Sequence, residues 1–313
     1  MNKSIQLQVE KVINETQKVK RLVLGSKQIK LPTFGPGAHI TLHLPMGTRQ
    51  YSLTNNPVQS TNNYEIAVKR IGGEGSGSGF IHDHVKKGVT LTVSIPDNYF
   101  PLHLKANHHV FYAAGIGITP VLSMISYLKT IGHSFELHYV ARSREECAFY
   151  EQLQSECGTQ SAFYFMERSE RMKRLKETMR NRTIGTHVYM CGPQAFMEEL
   201  VTYAKKLHFP SHHIHVERFA PVSDTKNRTP FTVSLEKRNK MITVEAEKSL
   251  LESLADHDIK VPYACRMGIC GTCEVIVNNG KVQHLDSFLT EKERKTKLLS
   301  CVSRGVNHIS IDL

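Results

Sequence analysis

The sequence of 313 residues contains no apolar run as long as the ~18 residues that a membrane-spanning helix needs. Its N-terminus, MNKSIQLQVEKVINETQKVKRL, is polar and charged, so it is not expected to be a secretion signal. Only seven cysteines are present, and without an export signal they do not predict a disulfide-stabilised secreted scaffold. We therefore expect a cytoplasmic protein with no membrane association.

Nucleic-acid recognition motifs are also missing. The 40 Lys and Arg residues exceed the 29 Asp and Glu residues, which gives a formal net charge of +11. However, no basic stripe interleaved with aromatic residues accompanies this excess. We interpret the charge as a solvated surface that attracts anionic cofactors or an acidic partner, and we expect no nucleic-acid partner.

The character of the chain changes twice, which predicts three domains. Up to about residue 100, short alternating segments are separated by Gly, Pro and Asn, and this pattern predicts an antiparallel barrel or sandwich. From residue 109 onward, apolar strands at 109–114, 135–142 and 187–192 alternate with helices at 121–130, 145–156 and 193–207, with a charged stretch at 167–182. This alternation predicts a parallel α/β sheet.

The last part of the chain follows a polar, proline-bracketed segment at 220–230 that is typical of a linker. Beyond it we predict a hairpin at 231–246, a short helix at 249–259 and a second hairpin at 273–282. This unit is about the size of a small independent domain.

The segment ACRMGICGTC holds three cysteines, Cys265, Cys270 and Cys273, and Cys301 follows 28 residues later. Structural zinc sites usually use two C-x2-C pairs, and buried free cysteines need no such clustering. The C-x4-C-x2-C…C spacing is the plant-type [2Fe–2S] pattern. Gly268 lies inside the loop, where glycine lets backbone N–H groups reach sulfur. We expect three thiols on one side of the cluster and Cys301 on the other.

Two segments of the first domain have the chemistry of a flavin site. Arg49, Tyr51 and Ser52 can pair with a phosphate, stack on an isoalloxazine ring and hydrogen-bond near the reactive N5. The glycine-rich stretch 72–79 precedes a predicted helix start, where backbone N–H groups cradle phosphate. The alternatives are an ordinary strand and a flexible surface loop.

Two turns in the second domain have the context of a dinucleotide site. Gly115-x-Gly117-x-x-Pro120 departs from G-x-G-x-x-G but lies between a strand and a helix, with Thr119 as the predicted N-cap. Cys191 ends a second strand before a second helix, although a small buried residue would fit the same place. Both turns should lie at the carboxyl ends of parallel strands and define one cleft.

The segments RQYSL, AAGIGITP, YMCGPQAFM and CRMGICGTC…C together resemble the ferredoxin–NADP reductase superfamily. Their order resembles the phthalate dioxygenase reductase and vanillate demethylase reductase group, to which carnitine monooxygenase reductases are similar. The resemblance implies an FMN-binding antiparallel Greek-key β-barrel at 1–103 and an α/β parallel-sheet NAD-binding domain at 104–222. A linker at 223–230 and an α+β β-grasp [2Fe–2S] ferredoxin domain at 231–313 would follow.

The resemblance also implies roles for individual residues. Catalytic roles fall on Ser52, beside the flavin, and on Cys191, beside the nicotinamide, with Phe219 shielding the flavin ring. The iron ligands are the four cysteines named above. The remaining cofactor contacts are Arg49, Gln50, Tyr51, Ala67, Val68, Lys69, Gly75, Ser76, Gly77 and Ser78 for FMN, and Gly115, Gly117, Ile118, Thr119, Pro120, Gly192 and Pro193 for NADH.

The activity that the resemblance implies is electron transfer from NADH through FMN and [2Fe–2S] to a Rieske-type oxygenase, by a monomeric reductase component. A reductase for a diiron monooxygenase or a cytochrome is an alternative, and a non-enzymatic redox sensor is another. FMN rather than FAD follows from the group. Arg142 and Arg144 follow the strand where a ribose 2′-phosphate would bind, so NADPH remains an alternative to NADH.

Overall fold

The computed structural model describes residues 4–58, 62–72, 75–219, 228–286 and 288–313. The chain folds into two compact units, residues 1–217 and 218–313. Most of the predicted linker lies outside the described residues, and the predicted domain boundaries at 103 and 222 stay predictions. None of the helices in the described ranges is long and apolar enough to cross a membrane.

The first sheet of the first unit has six antiparallel strands in the order β4-β3-β6-β1-β2-β5. A bridge between Leu53 and Ile66 links the two edges, so the sheet closes on itself. Inward-facing Leu22, Ile40 and Leu42 fill its core. A short helix, α1 (Gly77–His84), follows β5. The strands are β1 (Ser4–Thr16), β2 (Val19–Gly25), β3 (His39–Leu44), β4 (Gly47–Ser52), β5 (Asn63–Lys69) and β6 (Thr90–Ser94).

The second sheet of this unit is parallel, with the order β11-β10-β7-β8-β9. The strand order reverses between β7 and β10, and a crevice opens at the carboxyl ends of the strands at such a point. Apolar helix faces cover the sheet. The elements are β7 (His108–Ala114), α2 (Thr119–Ile131), β8 (Phe135–Val140), α3 (Tyr150–Cys157), β9 (Ser161–Tyr164), α4 (Arg168–Thr178), β10 (Thr186–Cys191), α5 (Gln194–Lys206) and β11 (Ile214–Glu217).

Three local predictions in this region were incomplete or wrong. The charged stretch at 167–182 forms α4, because Met172 and Leu175 give it a buried stripe. The helix predicted from residue 145 begins only at Tyr150. Thr119 is not the N-cap of α2: a 3-10 turn at Gly115–Ile118 precedes the helix, and the Thr119 hydroxyl donates to the Ile116 carbonyl.

The second unit contains a five-stranded mixed sheet in the order β13-β12-β16-β14-β15, with β12 and β16 parallel. The hairpin predicted at 273–282 is wrong. That segment is one strand, because register shifts near Asn279 and Gly280 absorb the turn-like residues as bulges. The elements are β12 (Phe231–Leu235), β13 (Lys240–Val244), α6 (Leu250–Asp256), β14 (Glu274–Gln283), β15 (Lys297–Leu299) and β16 (Arg304–Ile311). The structure thus contains an antiparallel barrel, a parallel α/β sheet and an α+β unit, and the predicted fold class is confirmed.

Candidate functional site

Arg49 and the N-terminus of α1 form an anion-binding cradle at the edge of the barrel. A Cβ atom built on Gly77 would lie 2.9 Å from Arg49 Cγ and 3.0 Å from Arg49 Nε, so the arginine side chain crosses the helix start directly. Ser76 caps the helix by accepting the N–H of Gly79 at 3.0 Å. Free N–H groups of the first turn and a guanidinium therefore face the same space, which fits a phosphate.

The neighbouring residues predicted to contact the flavin differ in whether their side chains are available to bind it. Burial raises the pKa of Tyr51 to about 12, although nearby Arg49 opposes the shift, so its phenol stays neutral. Ser52 is buried at the end of β4. The Ser78 hydroxyl is already used: it donates to the Ile71 carbonyl at 2.8 Å and accepts the Ile71 N–H at 3.0 Å. Ser78 therefore closes the glycine-rich loop and can reach a phosphate only through its backbone.

Strand β5 connects the barrel to the nucleotide turn. Ala67 and Val68 are buried in it. Lys69 is half-buried, and its Nζ lies 3.9 Å from the position that a Cβ on Gly115 would occupy. The predicted flavin strand and the predicted pyrophosphate turn thus meet within one unit. Gln50 is half-buried on β4, and Gly75 has a φ of +89° that favours glycine.

The two predicted dinucleotide turns are in direct contact. A Cβ on Gly117 would lie 2.3 Å from the Cys191 carbonyl oxygen and 2.7 Å from the Gly192 nitrogen. Only glycine allows this approach, which forms the floor of the crevice between β7 and β10. Gly115 has a φ of +55°, and its carbonyl accepts the Tyr139 hydroxyl at 3.0 Å. Ile118, Thr119 and Pro120 are buried at the start of α2, and Pro193 precedes α5.

Glu217 is a site residue that the sequence reasoning missed. It is the register partner of Cys191 across β10 and β11, and both side chains are buried. Burial raises the pKa of Glu217 to about 8, and its Oε2 has no hydrogen-bond partner among the described residues. Burial, reinforced by Glu217, also raises the pKa of the Cys191 thiol well above its ordinary value. The available signal was an acidic residue at the end of the short strand Ile214–Glu217.

Phe219 lies two residues beyond Glu217 and is 47% exposed. It falls in the second unit, so its predicted place beside the flavin stays a prediction. Of the two arginines that follow β8, Arg144 is held by α3. Its Nη2 lies 2.7 Å from Glu151 Oε1, and its guanidinium stacks 4.6 Å from the centre of the Tyr150 ring. Arg142 is exposed.

The thiols of the second unit affect one another in two pairs, Cys265 with Cys270 and Cys273 with Cys301. Within each pair the neighbouring thiol raises the pKa of one cysteine, Cys265 or Cys301, and lowers that of the other. The arrangement of three thiols on one side of a cluster and Cys301 on the other stays a prediction. No three His, Cys, Asp or Glu side chains in the described ranges converge on a single ion. A [2Fe–2S] cluster instead needs two thiolates on each of two irons, as the pairs provide.

The loop around these thiols fits a cluster through its backbone. The Met267 N–H donates to Cys265 Sγ at 3.3 Å. Gly268 has a φ of +71°, and a Cβ there would lie 2.6 Å from Val302 Cγ2. Gly271 has a φ of +76°, and its Cβ would overlap the Phe288 ring. The loop is therefore shaped to present N–H donors to sulfur, which suits an anionic iron–sulfur cluster.

Residues 233–305 match the protein family described as "2Fe-2S iron-sulfur cluster binding domain". Residues 97–214 match "Dimethylamine monooxygenase subunit DmmA-like, N-terminal domain". The heme-dependent oxidative N-demethylase beta subunit of Ectopseudomonas mendocina (strain ymp) is 40% identical over 276 residues, which cover 88% of this chain and 87% of that protein. Phthalate dioxygenase reductase of Burkholderia cepacia is 37% identical over 281 residues, covering 88% and 86%.

The fold is similar to a solved structure of phthalate dioxygenase reductase, with a TM-score of 0.79, 33% identity and coverage of 99% of this chain and 98% of that one. Sequence and fold agree over nearly the whole chain. The chain belongs to the oxygenase reductase family that includes phthalate dioxygenase reductase, vanillate O-demethylase oxidoreductase and carnitine monooxygenase reductase, which are NADH-dependent oxidoreductases that use flavin and [2Fe–2S].

Proposed function

We propose that this chain is the reductase component of a Rieske-type oxygenase system and passes electrons from NADH through FMN and [2Fe–2S] to that oxygenase. The observation that carries the proposal is the contact between the Gly117 and Cys191 turns, in the same unit as the Arg49 cradle. When bound, FMN takes a hydride from NADH and releases electrons singly, and the iron–sulfur cluster carries them onward.

Each group of side chains has a defined task in this proposal. Arg49 and the first turn of α1 hold the FMN phosphate, and Tyr51 offers a neutral ring for stacking. The turn at Gly115–Ile118 and the start of α2 hold the NADH pyrophosphate. The neutral Cys191 thiol and the protonated Glu217 carboxyl line the crevice without adding charge, which excludes water from the place where hydride moves. The cysteine pairs hold the two irons.

We further propose that the chain works as a monomer in the cytoplasm, without membrane or nucleic-acid partners. All seven cysteines are free thiols, which supports a reducing compartment. A monomer suits a protein that must meet an oxygenase transiently.

An anaerobic titration of the purified holoprotein with NADH, followed in the visible spectrum, tests the proposed electron path. Bleaching of both the flavin and the iron–sulfur bands supports it. Bleaching of the flavin alone would mean that electrons do not pass between the two centres. No bleaching by NADH would overturn the assignment of the nucleotide turns.

A reductase for a haem-dependent demethylase is the second candidate. The relative from Ectopseudomonas mendocina carries that description at 40% identity, and residues 97–214 match the dimethylamine monooxygenase family. The two candidates share every cofactor and differ only in the acceptor. Rates of electron transfer from the NADH-reduced chain to a purified Rieske-type oxygenase and to a purified haem-dependent demethylase distinguish them.

A further inference from the structure

Tyr139 is a buried tyrosine of β8 whose hydroxyl reaches the first of the two dinucleotide turns. The residue is 0% exposed, and its hydroxyl oxygen lies 3.0 Å from the Gly115 carbonyl oxygen. A carbonyl oxygen can only accept a hydrogen bond, so the hydroxyl is the donor. Burial raises the pKa of Tyr139 well above its ordinary value, and the hydroxyl therefore keeps the proton that this hydrogen bond needs.

The two ends of the turn at Gly115–Ile118 are held by different means. The backbone of the Cys191 turn fixes Gly117, because a Cβ there would overlap the Cys191 carbonyl. Packing at Gly115 is loose: among the described residues beyond its chain neighbours, a Cβ there would meet only Lys69 Nζ within 4 Å. The φ of Gly115, +55°, is one that glycine permits but does not enforce. The Tyr139 hydroxyl is therefore the side-chain contact that holds this end of the turn.

A fixed Gly115 carbonyl also sets the direction of the next backbone N–H. The carbonyl and the Ile116 N–H belong to one trans peptide, in which they point in opposite directions. Tyr139 belongs to β8, on one side of β7, whereas the crevice lies on the other side, between β7 and β10. The first N–H groups of a helical turn have no partner within it. A carbonyl held toward Tyr139 therefore leaves the Ile116 N–H free and turned toward the crevice.

We propose that Tyr139 is a positioning residue for NADH: through the Gly115 carbonyl it holds the turn so that the backbone N–H groups meet the pyrophosphate of the dinucleotide. The inference rests on the proposed function, because it requires this turn to bind NADH. Tyr139 acts through the backbone and takes no part in hydride transfer. Its effect should therefore be confined to hydride donors that carry a pyrophosphate.

Tyr139→Phe separates this role from packing, because it keeps the ring in the core between sheet and helices and removes only the hydroxyl. The test is anaerobic stopped-flow reduction of the flavin in the holoprotein by two hydride donors. One is NADH, and the other is N-benzyldihydronicotinamide, which has the nicotinamide ring but no phosphate.

In Tyr139→Phe, the NADH concentration that gives the half-maximal rate should rise about 2- to 12-fold, which corresponds to the net contribution of one hydrogen bond. The limiting rate should stay the same, because a contact to the pyrophosphate is equally strong before and during hydride transfer. The second-order rate constant for the phosphate-free donor should not change. A loss of general stability would not distinguish the two donors in this way.

Tyr64→Phe is the matched control. Tyr64 is also buried, and its hydroxyl also donates to a backbone carbonyl, that of Pro32 at 2.6 Å, but its ring packs in the core of the barrel. This variant loses a comparable hydrogen bond far from the turn in sequence and in another sheet. Its kinetics with both donors should equal those of the wild type.

Unchanged NADH kinetics in Tyr139→Phe would overturn the inference and leave the proposed function standing. An equal loss of rate with both donors would also overturn it, since the hydroxyl would then support the flavin site or the fold and not the pyrophosphate. A wild type that accepts hydride from the phosphate-free donor but not from NADH would contradict the proposed function, and the inference with it.

Discussion

Gly117 lies so close to Cys191 that a methyl group on the glycine would be 2.3 Å from the cysteine's carbonyl oxygen. This contact joins two turns that are 74 positions apart in the chain, at the point where the parallel sheet reverses its strand order. It leaves no room for a side chain on the crevice floor, so the backbone itself forms the surface against which a dinucleotide can lie.

Gly117→Ala should therefore misplace the two turns while leaving the barrel intact. We expect kcat/KM for NADH to fall on the order of 100-fold, the cost of a displacement of about 1 Å at a reacting centre. FMN content should not change. Gly35→Ala is the control, because its Cβ would meet only Asn98 Nδ2 at an ordinary 3.5 Å. Unchanged NADH kinetics would reject the assignment of this turn.

Glu217→Gln should change how stability depends on pH. The folded-state pKa of about 8 lies above the ordinary value of 4.5, so the unfolded chain ionises first as pH rises. The loss of folding stability that the buried Glu217 carboxyl causes is absent below about pH 4.5. It grows by about 1.4 kcal/mol per pH unit toward pH 8. In urea unfolding followed by circular dichroism, the variant should gain stability over the wild type from pH 5 to pH 8. A constant difference would contradict the buried, protonated carboxyl.

The stacked histidines at the other end of the sheet predict the opposite dependence. His187 stacks on His213 at 4.0 Å, and its Nδ1 lies 2.9 Å from His215 Nε2. Burial and the neighbouring histidines lower the pKa of His187 to about 3 and that of His215 to about 4. The unfolded chain takes up protons below pH 6.5 while the folded chain does not, so stability falls with pH from 6.5 to about 4.

His187→Gln should flatten this acid slope by about 1.4 kcal/mol per pH unit, one histidine's share. The wild type, His187→Gln and His43→Gln are compared by urea unfolding between pH 7 and pH 4.5. His43 is exposed on β3, so its variant should keep the wild-type slope. Parallel slopes in all three proteins would show that His187 protonates freely in the folded state.

Cys270→Ala should abolish the iron–sulfur signal while the flavin spectrum remains, because one iron loses a thiolate ligand that no other residue replaces. Cys157→Ala is the control, because Cys157 is another free cysteine but it ends α3 in the first unit. Visible spectra and electron paramagnetic resonance of the reduced proteins provide the readout. A full cluster signal in Cys270→Ala would disprove the ligand assignment.

Glu151→Gln should shift donor preference toward NADPH by freeing Arg144. Exposed ion pairs contribute about 0–1 kcal/mol, so the ratio of kcat/KM for NADPH to that for NADH should rise by no more than about fivefold. Glu170→Gln breaks another exposed ion pair, that with Arg174 on α4, and should leave the ratio unchanged. An equal rise in both variants would mean that surface charge, not Arg144, attracts NADPH.

The ordered strands, the three fold types and the four thiols could be predicted because each depends on local patterns of the sequence. Short segments with alternating residues indicated the barrel, and strands that alternate with helices indicated the parallel sheet. The C-x4-C-x2-C spacing identified the cysteines. Prediction failed where distant residues decide the outcome. The strand runs on through the bulge at Gly280 only because β16 pairs with β14 on both sides of it, at Val277–Gly280 and at Lys281–Gln283. Helix α4 forms in a charged segment because two apolar side chains find a core to enter.

By itself, the sequence determined which residues carry chemistry: the cysteine spacing, the glycine turns and the arginine of β4 are all local features. Only the tertiary structure decided how they are grouped. It placed Glu217 beside Cys191 and brought the Gly117 turn against the Cys191 turn. The reason is physical: burial and the closeness of charges are properties of packed neighbours, and the order of residues along a chain does not specify which neighbours share a buried space.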